Sequence, residues 1–251
     1  MIELDNLNKK FGNFHAVRDL TLRVPPGEVF GFLGPNGAGK TTTIRMMVGL
    51  IKPTSGQVLL EGKDISRQPE ETKAILGFIP DRPFLYEKLT GQEFLEFIAD
   101  LYGLDSGNSR QKRINELLNL FDLEDWSREL VESYSHGMRQ RLIIAAALLH
   151  RPKVLIVDEP LVGLDPKGAR LVKRLFFELA QRGMAIFMST HTMEVAEKMC
   201  HRIGILNEGR LVAVGTMQEL REKAQSTDER LEPLFLKLTG GEERGLEWEH
   251  G

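Results

Sequence analysis

Cysteine is nearly absent. Cys200 is the only one in 251 residues, so no disulfide can form within the chain, which suits a reducing compartment, and a lone thiol reads as a buried helix residue. A surplus of positive charge is missing too. Lys and Arg number 33 against 36 Asp and Glu, a net charge of −3. Residues 221–251 hold 5 of the former and 8 of the latter, leaving 28 against 28 before them. A balanced body projects no broad basic field, so general nucleic-acid binding is disfavoured. Long apolar runs are also missing: the longest, Leu142 to Leu149, has eight residues, far short of the roughly 20 that a spanning helix needs. Met1-Ile2-Glu3-Leu4-Asp5 has no basic stretch leading into an apolar one, so no signal peptide is expected. The length suits one large α/β domain, or a core carrying a subdomain.

What is present is organised around Gly34-Pro35-Asn36-Gly37-Ala38-Gly39-Lys40-Thr41, with the spacing G-x-x-x-x-G-K-T. Val29-Phe30-Gly31-Phe32-Leu33 before it is a short apolar strand, and Thr42 to Leu50 after it has the spacing of a helix with one buried face. Three glycines let the backbone turn with amides inward, and the new helix adds its unpaired N-terminal amides and positive dipole end. Phosphate oxygens are the natural guest. Lys40 then reaches the β- and γ-phosphates, and the Thr41 hydroxyl serves a bridging Mg²⁺.

Ahead of this loop, residues 2–7 and 17–24 read as strands joined by the turn Phe11-Gly12-Asn13. The Phe11 ring is either half exposed there or packed in the core. Gln57 to Leu60 and Ile75 to Ile79 are further short strands. At Pro80-Asp81-Arg82-Pro83 two prolines in four residues end the ladder pattern, and a helical insert begins. Thr90 caps a helix through Leu101 and Tyr102, Ile114 to Phe121 marks a second, and residues 104–109 link them. Ser135 caps an Ala/Leu-rich helix that runs to about His150. Taken alone, Ser135-His136-Gly137 is either an ordinary capped helix or a second anion-binding terminus.

Val154-Leu155-Ile156-Val157 returns to the sheet and ends in Asp158-Glu159. Ligands in open α/β sheets gather at the carboxyl ends of strands, so adjacent acids there point to chemistry. Leu161 to Pro166 is a loop, Leu171 to Leu179 a helix, and Met184 to Met188 another strand, ended by Ser189-Thr190-His191 on the same inferred edge. Ile203 to Leu206 and Leu211 to Val214 form a closing hairpin. A helix over 217–224, an apolar patch at 231–238 and an acidic, Gly-rich, disordered end at 240–251 complete the chain.

In this order the residues make the chain similar to the ATP-binding subunit of ABC transporters, from about residue 2 to 220. Gly34 to Thr42 resembles the first nucleotide motif, Ser135-His136-Gly137 with Gln140-Arg141 the family signature, and Val154 to Glu159 the second nucleotide motif. Leu164-Asp165-Pro166 and His191 resemble the loops that follow. The Tyr134-Ser135-x-Gly137-Met138 form of the signature and the segment Leu231 to Leu236 look most like the bacterial exporter-type branch. The resemblance implies an α/β P-loop NTPase core, mostly a parallel sheet with helices on both faces, over 1–80 and 151–220. It further implies an antiparallel β subdomain within 1–80, a helical subdomain at 81–150 and a C-terminal helix and tail at 221–251.

It also implies roles. Phe11 stacks on adenine where the family more often has Tyr, and keeps the π-face. Gly34, Pro35, Asn36, Gly37, Ala38, Gly39, Lys40, Thr41 and Thr42 hold the phosphates of ATP; Ser135 and Gly137 of a second copy, or of a homologous subunit, cover them in a head-to-tail dimer. Thr41 and Asp158 hold Mg²⁺, Glu159 accepts the proton of the attacking water or aligns it, His191 contacts the γ-phosphate, and Asp165 lies at the dimer seam. An integral membrane permease is the implied partner, beside Pro80 to Tyr86, which places the chain on the cytoplasmic face of the inner membrane. Phe84, Leu85 and Tyr86 are either that contact or, two of the three, ordinary core.

Two positions depart from the family pattern. Asp81 stands where Gln is usual; it can ligate Mg²⁺, but it adds negative charge beside the γ-phosphate and alters hydrolysis. His136 and Met138 replace Gly and Gln, and the titratable His136 makes nucleotide-driven pairing responsive to pH near neutrality. Two rival readings stand against transport. A soluble relative acting on nucleic acid or the ribosome would carry a long coiled-coil insertion or a second cradle, and neither is present. A nucleotide sensor with little turnover is suggested by Asp81 and His136, and intact Glu159 and His191 argue against it.

Overall fold

The structure is a computed structural model and describes residues 1–82, 84–228 and 230–240. The acidic end expected to be disordered lies, from residue 241 on, outside the described residues. Strands β1 (Ile2–Phe11) and β2 (Phe14–Val24) form a hairpin. Its turn is only Gly12-Asn13, so both strands run further than their apolar residues suggest and Phe11 closes β1 opposite Phe14. β2 buries Leu20, Leu22 and Val24 while Asp19, Thr21 and Arg23 face water, the alternation of a half-buried strand. β3 (Val29–Leu33) is buried throughout. It feeds the glycine loop and then α1 (Lys40–Met47). β4 (Ser55–Leu60) pairs with β1 and with the two-residue β5 (Lys63–Asp64), so that an antiparallel sheet of order β2-β1-β4-β5 results. A short helix, α2 (Pro69–Lys73), precedes β6 (Leu76–Ile79).

The helical stretch contains α3 (Gly91–Leu101), α4 (Asn108–Leu120) and α5 (His136–Leu148). Thr90 and Glu93 satisfy the first amides of α3 reciprocally in a capping box. α4 starts at Asn108, two residues inside the expected linking loop. β7 (Val154–Asp158) is followed by α6 (Pro166–Gln181). That helix begins five residues earlier than its apolar pattern, because Asp165 accepts from the Gly168 amide and Pro166 occupies the first position, where its missing N–H costs nothing. β8 (Ala185–Thr190), α7 (Met193–Met199), β9 (Arg202–Asn207) and β10 (Arg210–Gly215) lead to α8 (Met217–Lys223) and α9 (Leu231–Thr239). Cys200 is not inside a helix: it is the residue that ends α7.

The second sheet has the order β10-β9-β3-β8-β7-β6, parallel from β9 to β6 with β10 antiparallel at the edge. Successive side chains of a strand face opposite ways, and the core divides accordingly. Val29, Leu155 and Ile186 join one apolar cluster with α3 to α6, whereas Phe30, Ile156 and Phe187 join another with α1 and the antiparallel sheet. Phe187 lies against Phe30 and Phe32, with ring centroids 5.8 and 5.0 Å apart. A third cluster places α9 against α7, α8 and the β9–β10 hairpin. No helix among the described residues is long and apolar enough to cross a membrane.

Candidate nucleotide site

Adjacent parallel strands β3, β8, β7 and β6 end at one edge, in register: Leu33 is opposite Thr190, Asp158 opposite Ser189, and Ile79 opposite Val157. The residues that follow are therefore neighbours. Gly34 to Thr42 leave β3, His191 leaves β8, Glu159 leaves β7 beside Asp158, and Asp81 comes two residues after β6.

The glycine loop is pressed against both sheets from behind. A Cβ at Gly34 would lie 2.5 Å from the Leu206 carbonyl oxygen, and one at Gly39, whose φ is +107°, 2.5 Å from that of Ala16. Gly37 has φ +80° and nothing within 4 Å of a Cβ position. The front is open, and among the described residues the amides of Gly37, Gly39, Lys40 and Thr41 have no protein acceptor. Lys40 folds back, its ammonium donating to the carbonyls of Gly34 at 2.6 Å and Pro35 at 3.1 Å. Burial lowers its pKa, and the negative charges of Glu159 and Asp158 oppose that shift. Open amides, a helix N-terminus and a half-buried ammonium make a site for phosphate groups.

Asp158 is buried and accepts from Ser189 Oγ at 2.8 Å. Burial pushes its carboxyl above the usual range, the Ser189 bond pulls it down, and the charges of Glu159 and Asp81 push it up again. Two further carboxylates thus act on Asp158 through their charge, and a divalent cation beside it would relieve that repulsion. No group of three or more metal-ligating His, Cys, Asp or Glu side chains occurs among the described residues. Mg²⁺ takes one or two protein oxygens and fills its shell with phosphate and water. The Thr41 hydroxyl, exposed on the first turn of α1, and Asp158 are oxygen donors of the right kind.

Glu159 takes φ +53°, a left-handed conformation that costs an L residue about 1–2 kcal/mol. The position is held from several sides: its amide donates to Ser189 O at 3.0 Å, Thr190 Oγ1 donates to its Oε2 at 3.0 Å, and the His191 amide donates to its Oε1 at 2.8 Å. His191 Nδ1 lies 2.6 Å from the same oxygen. Ser189 and Thr190 had no role in the sequence reading. The signal was the register of two parallel strands, which puts their hydroxyls level with the two acids.

Phe11 is 51% exposed, so it is not a core residue. It sits at the hairpin tip with the Lys9 ammonium 5.0 Å from its ring centroid, on the strand pair whose Ala16 and Val17 back the glycine loop. Ser135 and Gly137 are not brought to the cradle. Ser135 caps α5 by accepting from Met138 N at 3.3 Å, and the amides of His136 and Gly137 have no acceptor among the described residues. Their neighbour is Gly163, in the loop between Glu159 and Asp165.

A groove of about 850 Å³ beside Asp81 is lined by Phe84, Tyr86, Phe97, His136 and Arg139 among others. Phe84 is 78% exposed and Tyr86 48%, while Leu85 is buried; one of the three apolar residues here is core, not two.

The family model described as "ABC transporter" matches residues 17–162. The linearmycin resistance ATP-binding protein LnrL of Bacillus subtilis (strain 168) is 38% identical over 220 residues, which cover 88% of this chain and 70% of the relative. A solved ATP-binding subunit of an ABC transporter superposes with a TM-score of 0.90 at 34% identity, covering 95% of this chain and 99% of that one. A dimeric ATP-binding cassette in a post-hydrolysis state, bound to ADP and Pi, superposes with a TM-score of 0.78 at 28% identity, covering 86% and 98%. The phosphate cradle, the strand-end acids beside it and these likenesses agree: the chain belongs to the ABC transporter family, as an ATP-binding subunit that hydrolyses ATP.

Proposed function

We propose that two copies of this chain, or one copy and a homologous subunit, close head to tail around two MgATP molecules and power export through a separate membrane subunit. The observation that carries the reading is the convergence of Lys40, Asp158, Glu159 and His191 at neighbouring strand ends, while Ser135 and Gly137 sit at the N-terminus of α5, whose first amides have no acceptor among the described residues. The open amides at α5 then cover the nucleotide held by the other copy. The dimeric ADP- and Pi-bound relative supports this arrangement.

In each site the amides of Gly37 to Thr41 and the Lys40 ammonium bind the β- and γ-phosphates, and the exposed Phe11 ring offers its face to adenine. Thr41 Oγ1 and Asp158, with Asp81 nearby, would hold Mg²⁺, which would supply positive charge to the phosphates. Glu159 orients the attacking water or takes its proton, and His191, bonded to Glu159, fixes that carboxylate and meets the γ-phosphate. Asp165, at the N-terminus of α6, lies at the seam between copies. The Phe84–Tyr86 groove takes the membrane subunit, so the chain works on the cytoplasmic face. Export is supported by the resistance named for LnrL and by the Ser135-x-Gly137-Met138 form of the signature.

Sedimentation of a Glu159→Gln chain with saturating MgATP tests the reading. A dimer that dissociates when ATP is removed is expected. A chain that stays monomeric at high concentration, and also beside its membrane partner, rules out the shared site.

A further inference from the structure

His136 and Gly163 fit each other as ring and gap. Gly163 has φ +80°, and a Cβ built on it would lie 1.9 Å from His136 Cδ2 and 2.2 Å from His136 Nε2. The imidazole occupies the room a side chain would need. Next to it, a Cβ on Gly137 would lie 3.3 Å from the Gly163 carbonyl oxygen, so two glycine backbones also meet closely. Gly163 lies in the loop from Glu159 to Asp165, four residues after the first and two before the second. That loop is tied internally by Val162 N to Glu159 O and by Leu164 N to Leu161 O, both 3.3 Å, and Asp165 caps α6 by accepting from Gly168 N at 2.8 Å. A push at Gly163 thus has short, bonded routes to the carboxylate at one end and the cap at the other.

We infer that His136 is a positioning residue for the reaction: seated against Gly163, its ring fixes the Glu159–Asp165 loop to the turn Ser135–Gly137. The inference rests on the two-copy reading above, in which that turn covers the nucleotide of the other copy. The turn that senses one ATP and the acid that acts on the second are then joined, inside a single chain, by one aromatic contact. Where the family pattern has glycine at position 136 no ring fills the gap, so this link belongs to the present sequence.

The test is a double-variant cycle on the full chain, reading steady-state turnover and the Kd of a fluorescent ATP analogue. His136→Gly is expected to lower kcat by at least about threefold and Gly163→Ala by at least about tenfold, each with Kd within about twofold. In the double variant the extra methyl finds the space the ring has left. It is expected to turn over no more slowly than Gly163→Ala alone, where independent effects would multiply to about thirtyfold. His136→Phe, which keeps a ring in the gap, is expected to retain at least about half of the wild-type kcat. It also keeps the inference testable should the left-handed backbone make Gly163→Ala fold poorly. Multiplying effects, or a His136→Gly chain as active as wild type, overturn the inference. Sedimentation of Glu159→Gln with ATP separates the two claims: a dimer there with multiplying kinetic effects refutes the His136 role alone, and a strict monomer refutes the reading beneath it.

Discussion

His191 Nδ1 lies 2.6 Å from Glu159 Oε1, an oxygen that also accepts from the His191 backbone amide at 2.8 Å. One residue therefore grips the carboxylate through ring and main chain together, while Thr190 holds the other oxygen. Replacing Glu159 by Gln keeps the shape but removes the base. We expect phosphate release to fall by about 100-fold or more with nucleotide affinity retained. His191→Ala should be less severe, because the amide and the Thr190 hydroxyl still hold Glu159. A Glu159→Gln chain that sustains turnover would show that another group does the main work.

Asp81 acts on Asp158 through charge, pushing its carboxyl up. A neutral amide, one methylene longer, removes a negative charge from the neighbourhood of the γ-phosphate. Asp81→Gln is expected to raise turnover by about two- to tenfold, read as phosphate release at saturating MgATP. An unchanged rate would exclude this carboxylate from the reaction.

Gly37 and Gly39 differ in a way a melt can detect. At Gly39 a methyl meets the Ala16 carbonyl and the backbone is left-handed; Gly39→Ala should destabilise the chain by about 2–4 kcal/mol and abolish nucleotide binding. At Gly37 the surroundings are open, so Gly37→Ala should cost only about 1 kcal/mol, for its left-handed φ. Denaturant midpoints of the two variants, measured side by side, check the order.

The Cys200 thiol faces Gly31, where a Cβ would come within 2.7 Å of the sulfur, and burial pushes its pKa up to about 12. Thiolate is the reacting form. Alkylation by iodoacetamide at pH 8 should be slower by about 100-fold or more in the native chain than in urea. Prompt labelling of the folded chain would mean that α7 opens readily at its end.

His150 stacks on Tyr102, with ring centroids 3.8 Å apart and planes 8° from parallel. Nε2 donates to Leu76 O at 3.1 Å, and Nδ1 is buried without a partner among the described residues. Burial lowers the pKa from 6.5 to about 4. The unfolded chain therefore binds the proton more readily than the folded one. The stability His150 contributes is complete above pH 6.5 and is lost as pH falls toward 4. The full shift corresponds to at most about 3 kcal/mol, nearer 2 with the ring partly open to solvent. His150→Phe keeps the stack without the proton site, and its urea midpoint should decline less over this window. Parallel pH profiles for variant and wild type would refute the assignment.

Much of this architecture was legible from spacing. Gly34 to Thr41 has one physical use, and the apolar runs of β3, β7 and β8 admit only buried strands. The acids and His191 follow those runs directly. Element ends were less legible: β1 and β2 extend to Phe11 and Phe14 because pairing, which spacing does not record, continues to a two-residue turn, and α6 starts at its cap, not at its first apolar residue. Contacts between distant elements were hidden altogether. Ser189 against Asp158, Thr190 against Glu159 and His136 over Gly163 join residues 27 to 31 positions apart, and only the sheet and the helix placement bring them together.

Because the glycine loop rests on Leu206 from the parallel sheet and on Ala16 from the antiparallel one, its curvature is a gauge of how those two layers sit. A slip between them of a fraction of an ångström closes the gap at Gly39 or opens that at Gly34. Substitutions deep in the interface, at Phe30 or Leu20, would then change the grip on ATP without coming near it.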